Sequence, residues 1–287
     1  MRARVAVSVL AFAFPAAAQD GGPRAHQVMS ASSPDGLTFT HDGVVLLDQA
    51  SVPAAIALDD GRIRLYYVDA SNAPENVNCA ESTDGGRSFR VLGCTIEGRG
   101  GVKAVDPSIV RLPDGRFRLY YYAPAGQNPD APGPHTIHAA VSSDGVRFVD
   151  EGPVFTHARL VDPDVFWSGR EWLMFVMGLG EGTLMARSSD GLSFSYLGPL
   201  PMQNWGTTAP VRLPDGRHRL YAFDQPDGNV VASFLSDDGL AWTREAGIRL
   251  TAMDGYQLTD PFVVRLADGS WKMFYKRSVR QARGTRR

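Results

Sequence analysis

Along most of this chain, apolar and polar residues alternate in short runs, and an Asp-Gly or Ser-Gly pair closes run after run. Residues 104–123 read AVDPSIVRLPDGRFRLYYYA, 207–223 read TTAPVRLPDGRHRLYAF, and 258–275 read LTDPFVVRLADGSWKMFY. Looser copies stand at 51–68, SVPAAIALDDGRIRLYYV, and at 161–177, VDPDVFWSGREWLMFVM. Period-two alternation predicts half-buried strands, and Asp-Gly supplies the positive φ of a tight hairpin turn. Each copy is therefore read as a hairpin with strands A and B.

A second phrase follows each of these: SSPDGLTF at 32–39, ESTDGGRSF at 81–89, VSSDGVRF at 141–148, RSSDGLSF at 187–194 and LSDDGLAW at 235–242. It predicts a second hairpin, strands C and D, whose turn aspartates bond their own backbone. The order of the hairpins is circular. The chain begins with a lone C–D hairpin over 26–40 and ends with a lone A–B hairpin over 260–275. Four-stranded units repeating every ~40 to 50 residues mark a β-propeller. The end hairpins would complete one shared blade, closing the ring and removing two open sheet edges. The predicted fold is an all-β, five-bladed β-propeller with four antiparallel strands per blade.

In such a ring both Asp-Gly turns of a blade lie on one face, and the D-to-A and B-to-C connections lie on the other. Strand A starts at the axis of that second face. Taking the residue before each proline as its start gives Val52, Asp106, Asp162, Ala209 and Asp260. Three aspartates from separate blades thus point at one axis, where they repel one another and shift each other's pKa. Asp164 shares the strand parity of Asp162. The connections around them carry Glu75, Glu181, His157, Trp205 and Tyr256, and Lys276 and Arg277 close the last B strand.

Composition narrows the setting. Arg2 and Arg4 precede a short apolar run and Ala16-Ala17-Ala18, the pattern of a cleaved export signal over 1–18. One propeller domain would follow over 19–276, with a basic tail over 277–287. Loss of Arg2 and Arg4 takes the formal net charge from −2 to −4, which argues against nucleic acid as a partner. No later apolar run approaches the ~20 residues of a membrane span. A secreted or periplasmic monomer is expected. The two cysteines, Cys79 and Cys94, leave disulfide pairing open: export permits it, but a hairpin closed at 83–86 sets Cys79 opposite residue 90 or 91. The six histidines show no paired zinc spacing, and GxSxG and phosphate-binding glycine loops are missing.

The blade-starting VDPSIVRLPDG, VDPDVFW and TDPFVVRLADG, with the repeated SxDGxxF hairpins, resemble the five-bladed propeller glycosidases: the arabinanase and β-xylosidase group and related invertase-like enzymes. The resemblance covers nearly all of the chain after residue 18. It implies hydrolysis of glycosidic bonds in a polysaccharide or oligosaccharide by a carboxylate base, a carboxylic acid donor and a further tuning aspartate. No cofactor is required, although the aspartates would suit a structural Ca²⁺ at the axis. Carried onto this chain, the roles fall to Asp106 and Asp162 as the axial pair and Asp260 as the third member. Glu181 and Glu75 are donor candidates, and Asp164, Trp205, Tyr256, His157 and Arg277 are substrate contacts. The chain departs from the pattern at Val52, where the family has an aspartate, and at Asp162, near the family's glutamate donor. An EGP at 151–153 looks like the donor motif but falls on the tail of strand D, away from the axis. A non-catalytic glycan- or protein-binding propeller is the alternative. STDGGRSF at 82–89 is also similar to the Asp-box of sialidases, but the recurrent Arg111, Arg212 and Arg265 stand near the A–B turns, on the wrong face for that chemistry.

Overall fold

The structure, a computed structural model, describes residues 22–124, 133–225 and 227–280. The expected export signal and the end of the basic tail, 281–287, lie outside the described residues.

Five sheets surround one axis. Blade 1 comprises Ala50–Ala57, Ile63–Asp69, Asn76–Ser82 and Arg90–Val91, as strands A to D. Blade 2 comprises Val105–Arg111, Phe117–Ala123, His135–Ser142 and Arg147–His157. Blade 3 is Leu160–Trp167, Trp172–Gly178, Gly182–Ser188 and Ser195–Pro199, and blade 4 is Trp205–Arg212, His218–Asp224, Val230–Ser236 and Thr243–Arg244. Blade 5 joins the two ends of the propeller: Tyr256–Arg265 and Trp271–Val279 supply A and B, Gln27–Ser33 and Thr40–Asp48 supply C and D. Gln27 pairs with Arg277 and Ser33 with Trp271 across this closure. Strand B of blade 5 thus continues to Val279, past the boundary expected at 276.

Two blades depart from four antiparallel strands. Thr95–Glu97 runs parallel to strand D of blade 2 as a fifth strand. Leu250–Thr251 pairs with strand C of blade 4 beyond the short strand D. The crossing from blade 1 to blade 2 also settles the cysteines. The Cys79 carbonyl accepts the Leu92 N–H, Gly93 turns the chain at φ 81°, and Cys94 returns over Cys79 at a Cα separation of 5.4 Å to form a disulfide.

Apolar side chains fill the wedges between blades, as where Tyr120, Val165, Trp172 and Ala186 meet between blades 2 and 3. On the turn face the blades are tied by repeated polar contacts. In all five C–D turns a serine hydroxyl donates to the turn aspartate, from Ser33, Ser82, Ser142, Ser188 and Ser236, at 2.7–3.0 Å. Buried tyrosine hydroxyls then reach the neighbouring blade's turn: Tyr66 donates to the Gly145 carbonyl, Tyr120 to Gly191 and Tyr221 to Gly36. Glu151, of the EGP sequence, binds Arg118 at 2.8 Å on the outer strand, so it serves this scaffold.

Candidate functional site

The first turn of every A strand carries one residue in the left-handed region: Val52 (φ 45°), Asp106 (53°), Asp162 (51°), Thr207 (27°) and Asp260 (49°). At each the ladder skips a step. Val105 pairs with Tyr122 and Ser108 with Tyr120, so Asp106 and Pro107 together oppose Tyr121 alone. These are β-bulges, which re-aim one side chain at the cost of local pairing. In four blades the next residue is proline, which has no N–H to lose there. Because Val52 and Thr207 share the conformation, the strain belongs to the architecture, and chemistry depends on which side chain it aims.

The axial ring is therefore Val52, Asp106, Asp162, Thr207 and Asp260. Ala209 does not take the fourth position. In blade 4 the bulge falls between Gly206 and Thr208, and Pro210 stands three residues after it instead of one. Ala209 is buried a layer deeper, level with Ser108 and Asp164.

The three aspartates act on one another. Burial pushes the Asp106 carboxyl up to about 7, and the Asp260 charge adds to this; the Asp162 backbone N–H, which it accepts, and the Lys276 charge work the other way. Asp162 is raised well above the ordinary carboxylate range, first by burial and then by the charges of Asp106 and Asp260. Thr207 Oγ1 donates to Asp162 Oδ2 at 3.4 Å. Asp260 holds the cation of the site: its Oδ2 lies 2.6 Å from Lys276 Nζ and also accepts from Thr259 Oγ1 at 3.2 Å. Burial works against the Lys276 charge but is outweighed by Asp260, Asp162 and Asp106, so the ammonium is held more firmly than usual. Carboxyls that repel in a desolvated ring hold their protons to higher pH than ordinary ones, and such groups serve as acids.

Asp164 lies one layer below, buried, and burial raises its pKa well above the ordinary value. Its Oδ1 accepts from Ser108 Oγ at 3.3 Å, which itself accepts the Val165 N–H at 3.0 Å. The axial charges are not among the causes acting on Asp164, so it stands apart from the three.

Around the rim, Glu75 follows Pro74 in the B–C loop of blade 1, binds Lys103, and adds a charge that raises Asp106. Glu181 is exposed on the B–C loop of blade 3, 3.9 Å from His157 Nδ1, and is not among the main charges acting on Asp106 or Asp162. The His157 ring lies against Tyr196 and Phe155. Tyr256 carries the Arg277 guanidinium over its ring at 4.4 Å, and Arg277 also donates to Gln27 Oε1. Trp205 packs edge-on against Phe234 with Arg244 above it at 5.3 Å, which makes it part of blade 4's wall and not a free platform.

Sequence reasoning ranked Arg277 above Lys276, although a signal for the lysine existed. In register, Lys276 corresponds to Val68, Tyr122, Met177 and Phe223 of the other blades. A lysine where four sister blades carry apolar residues marks a position with a separate task. Among the described residues no three His, Cys, Asp or Glu side chains stand close enough to share a metal ion. The cation facing the axial acids is the Lys276 ammonium.

Comparison with known proteins agrees with this fold. The chain is 26% identical over 168 residues to an extracellular endo-α-(1→5)-L-arabinanase of Thermotoga petrophila, a match spanning half of this chain and 34% of that protein. A thermostable family-43 glycoside hydrolase superposes with a TM-score of 0.64 at 14% identity, covering 80% of this chain and 88% of its own. The fold is that of the five-bladed glycosidase propellers. The α-L-arabinanase of Penicillium chrysogenum, solved with arabinobiose, shares it at a TM-score of 0.60 and 11% identity over 87% and 97% of the two chains. No family model matches the chain. The propeller fold and its glycosidase neighbours are as the sequence motifs implied. No helix among the described residues is long and apolar enough to cross a membrane.

Proposed function

We propose that this propeller is an exported glycoside hydrolase that cleaves a polysaccharide or oligosaccharide with the three axial aspartates. The observation that carries the reading is the ring itself: two carboxyls with raised pKa, Asp106 and Asp162, beside a third, Asp260, held against a lysine. Glycoside hydrolysis needs a carboxylic acid to protonate the leaving oxygen and a carboxylate on the other side of the bond. Asp162, raised by burial and by the charges of both other aspartates, is the donor. Asp260, two blades away across Thr207, is the carboxylate that takes a proton from water as the water attacks the sugar carbon. Asp106 accepts the Asp162 backbone N–H; it positions the donor and couples to its titration. Export fits the Cys79–Cys94 disulfide, since such bonds persist in oxidising compartments.

Val52 favours a second reading, a glycan-binding propeller without turnover, because it puts an apolar side chain in the ring where an acid would help catalysis. One experiment separates the two. Aryl-glycosides and arabinan, xylan and fructan oligomers are offered to the wild type and to Asp162→Asn. Hydrolysis by the wild type, reduced ~10²-fold to 10⁴-fold in the variant, supports catalysis. Binding without hydrolysis by both proteins supports the second reading.

A further inference from the structure

The turn face contains one position where a sister-blade pattern breaks. The last residue of strand A is Ala57, Arg111, Trp167, Arg212 and Arg265 in blades 1 to 5, aligned by their partners Ile63, Phe117, Trp172, His218 and Trp271. Three blades place an arginine there. Blade 3 places Trp167, which is 41% exposed. The indole is left partly in water at a site that three of its four sisters fill with a charge.

Trp167 borders a cavity of about 350 Å³ between blades 2 and 3, together with Leu112, Pro113, Trp172, Ser189 and Asp190. The ring of Trp172 lies 5.3 Å from that of Trp167 at 58°, giving the cavity an aromatic corner. Its polar groups are fixed in advance. Asp190 Oδ1 accepts from Ser188 Oγ and from the Leu192 and Ser193 N–H groups, which hold the carboxyl below its ordinary pKa and leave Oδ2 for a ligand. The Asp114 carboxylate at the edge is turned toward Arg116. The Arg118 guanidinium at its back is engaged by Glu151 and by the Asp190 carbonyl.

We infer that this cavity is a second carbohydrate site, on the face opposite the axial acids, which holds one or two neutral sugar units of a longer chain. An exposed indole offers a face for sugar C–H groups, while a fixed carboxylate oxygen and the Ser189 hydroxyl accept or donate hydrogen bonds to ring hydroxyls. The two carboxylates, with the arginine already neutralised, disfavour uronates and sulfated glycans. The inference requires binding only and is independent of turnover at the axis.

The test is calorimetric titration of soluble xylan and arabinan oligosaccharides into the full chain carrying Asp162→Asn, so that nothing is cleaved. Saturable binding at this cavity is expected as an event additional to any at the axial ring. Adding Trp167→Ala or Trp167→Arg should weaken it about tenfold or more, while hydrolysis of small aryl-glycosides by the single Trp167 variants stays at the wild-type rate. Trp167→Arg installs what blades 2, 4 and 5 carry and Trp167→Ala what blade 1 carries, and an unchanged melting temperature shows that the fold is kept. The inference is overturned if no binding beyond a single axial event is found, if that second event survives both Trp167 substitutions, or if a basic peptide such as polylysine binds through Trp167 and the sugars do not.

Discussion

The two faces of the ring share one repeat but use it differently. On the turn face, the same bonds recur from blade to blade: serine to turn aspartate in all five, and buried arginine to glutamate in blades 1, 2 and 4 through Arg64–Glu81, Arg118–Glu151 and Arg219–Glu245. On the axial face, five equivalent bulges carry Val52, Asp106, Asp162, Thr207 and Asp260. Recurrence records what the fold needs, and departure from recurrence records what a site needs. The titration of the two faces has opposite sign. Turn aspartates such as Asp144, held down to about 2 first against burial and then by backbone N–H groups, stabilise the fold above pH 3.8, and that contribution fades as pH falls toward about 2. Axial Asp106, raised to about 7, favours the folded state when protonated, and that contribution is lost as pH climbs from 3.8 through about 7.

The largest expected effect is on turnover. Asp162→Asn should lower kcat ~10²-fold to 10⁴-fold with no loss of melting temperature, because burial already opposes its charge. A variant that loses folding together with activity would show that the axial ring is scaffold after all. Next comes Lys276→Met, which strands the Asp260 carboxylate and should destabilise the fold by about 3 kcal/mol. Removing the cation that lowers Asp106 and Asp162 should also move the alkaline limb of the activity profile upward, with Lys276→Arg restoring both, as read from denaturant melts and a pH profile. On the turn face, Tyr120→Phe should cost about 1 kcal/mol by deleting the bond to Gly191, and leave kcat and KM unchanged. A kinetic effect there would blur the division between faces. The smallest effect is the pH dependence of Asp106→Asn. Its melting temperature relative to the wild type should rise by a few degrees between pH 5 and pH 8, and a constant difference would contradict the assigned burial.

Fold and site were legible to different depths. The Asp-Gly pairs and the circular order of hairpins carried the five blades, since a turn that demands positive φ leaves a mark in sequence. Asp106, Asp162 and Asp260 were legible because each precedes the proline that accommodates its bulge. Thr207 was not, since blade 4 sets its proline two positions later and the bulge is visible only in the ladder. Lys276 needed the pairing of strands A and B across blade 5, a register that proline spacing does not report. The disulfide escaped the hairpin argument because the chain turns at Gly93, beyond the paired strand. Trp205 read as a rim aromatic because nothing in its own segment announces Phe234 and Arg244 against it.

The central claim is that the ring holds two carboxyls raised well above their ordinary pKa beside a lysine. A carbon-13 NMR titration of the aspartate carboxyls tests it most directly, with Asp106→Asn and Asp162→Asn to assign the signals. Two carboxyls titrating together well above the ordinary range, Asp106 at about 7 and both shifted upward by Lys276→Met, is the result expected. Axial aspartates that all titrate near the ordinary 3.8 would contradict the account.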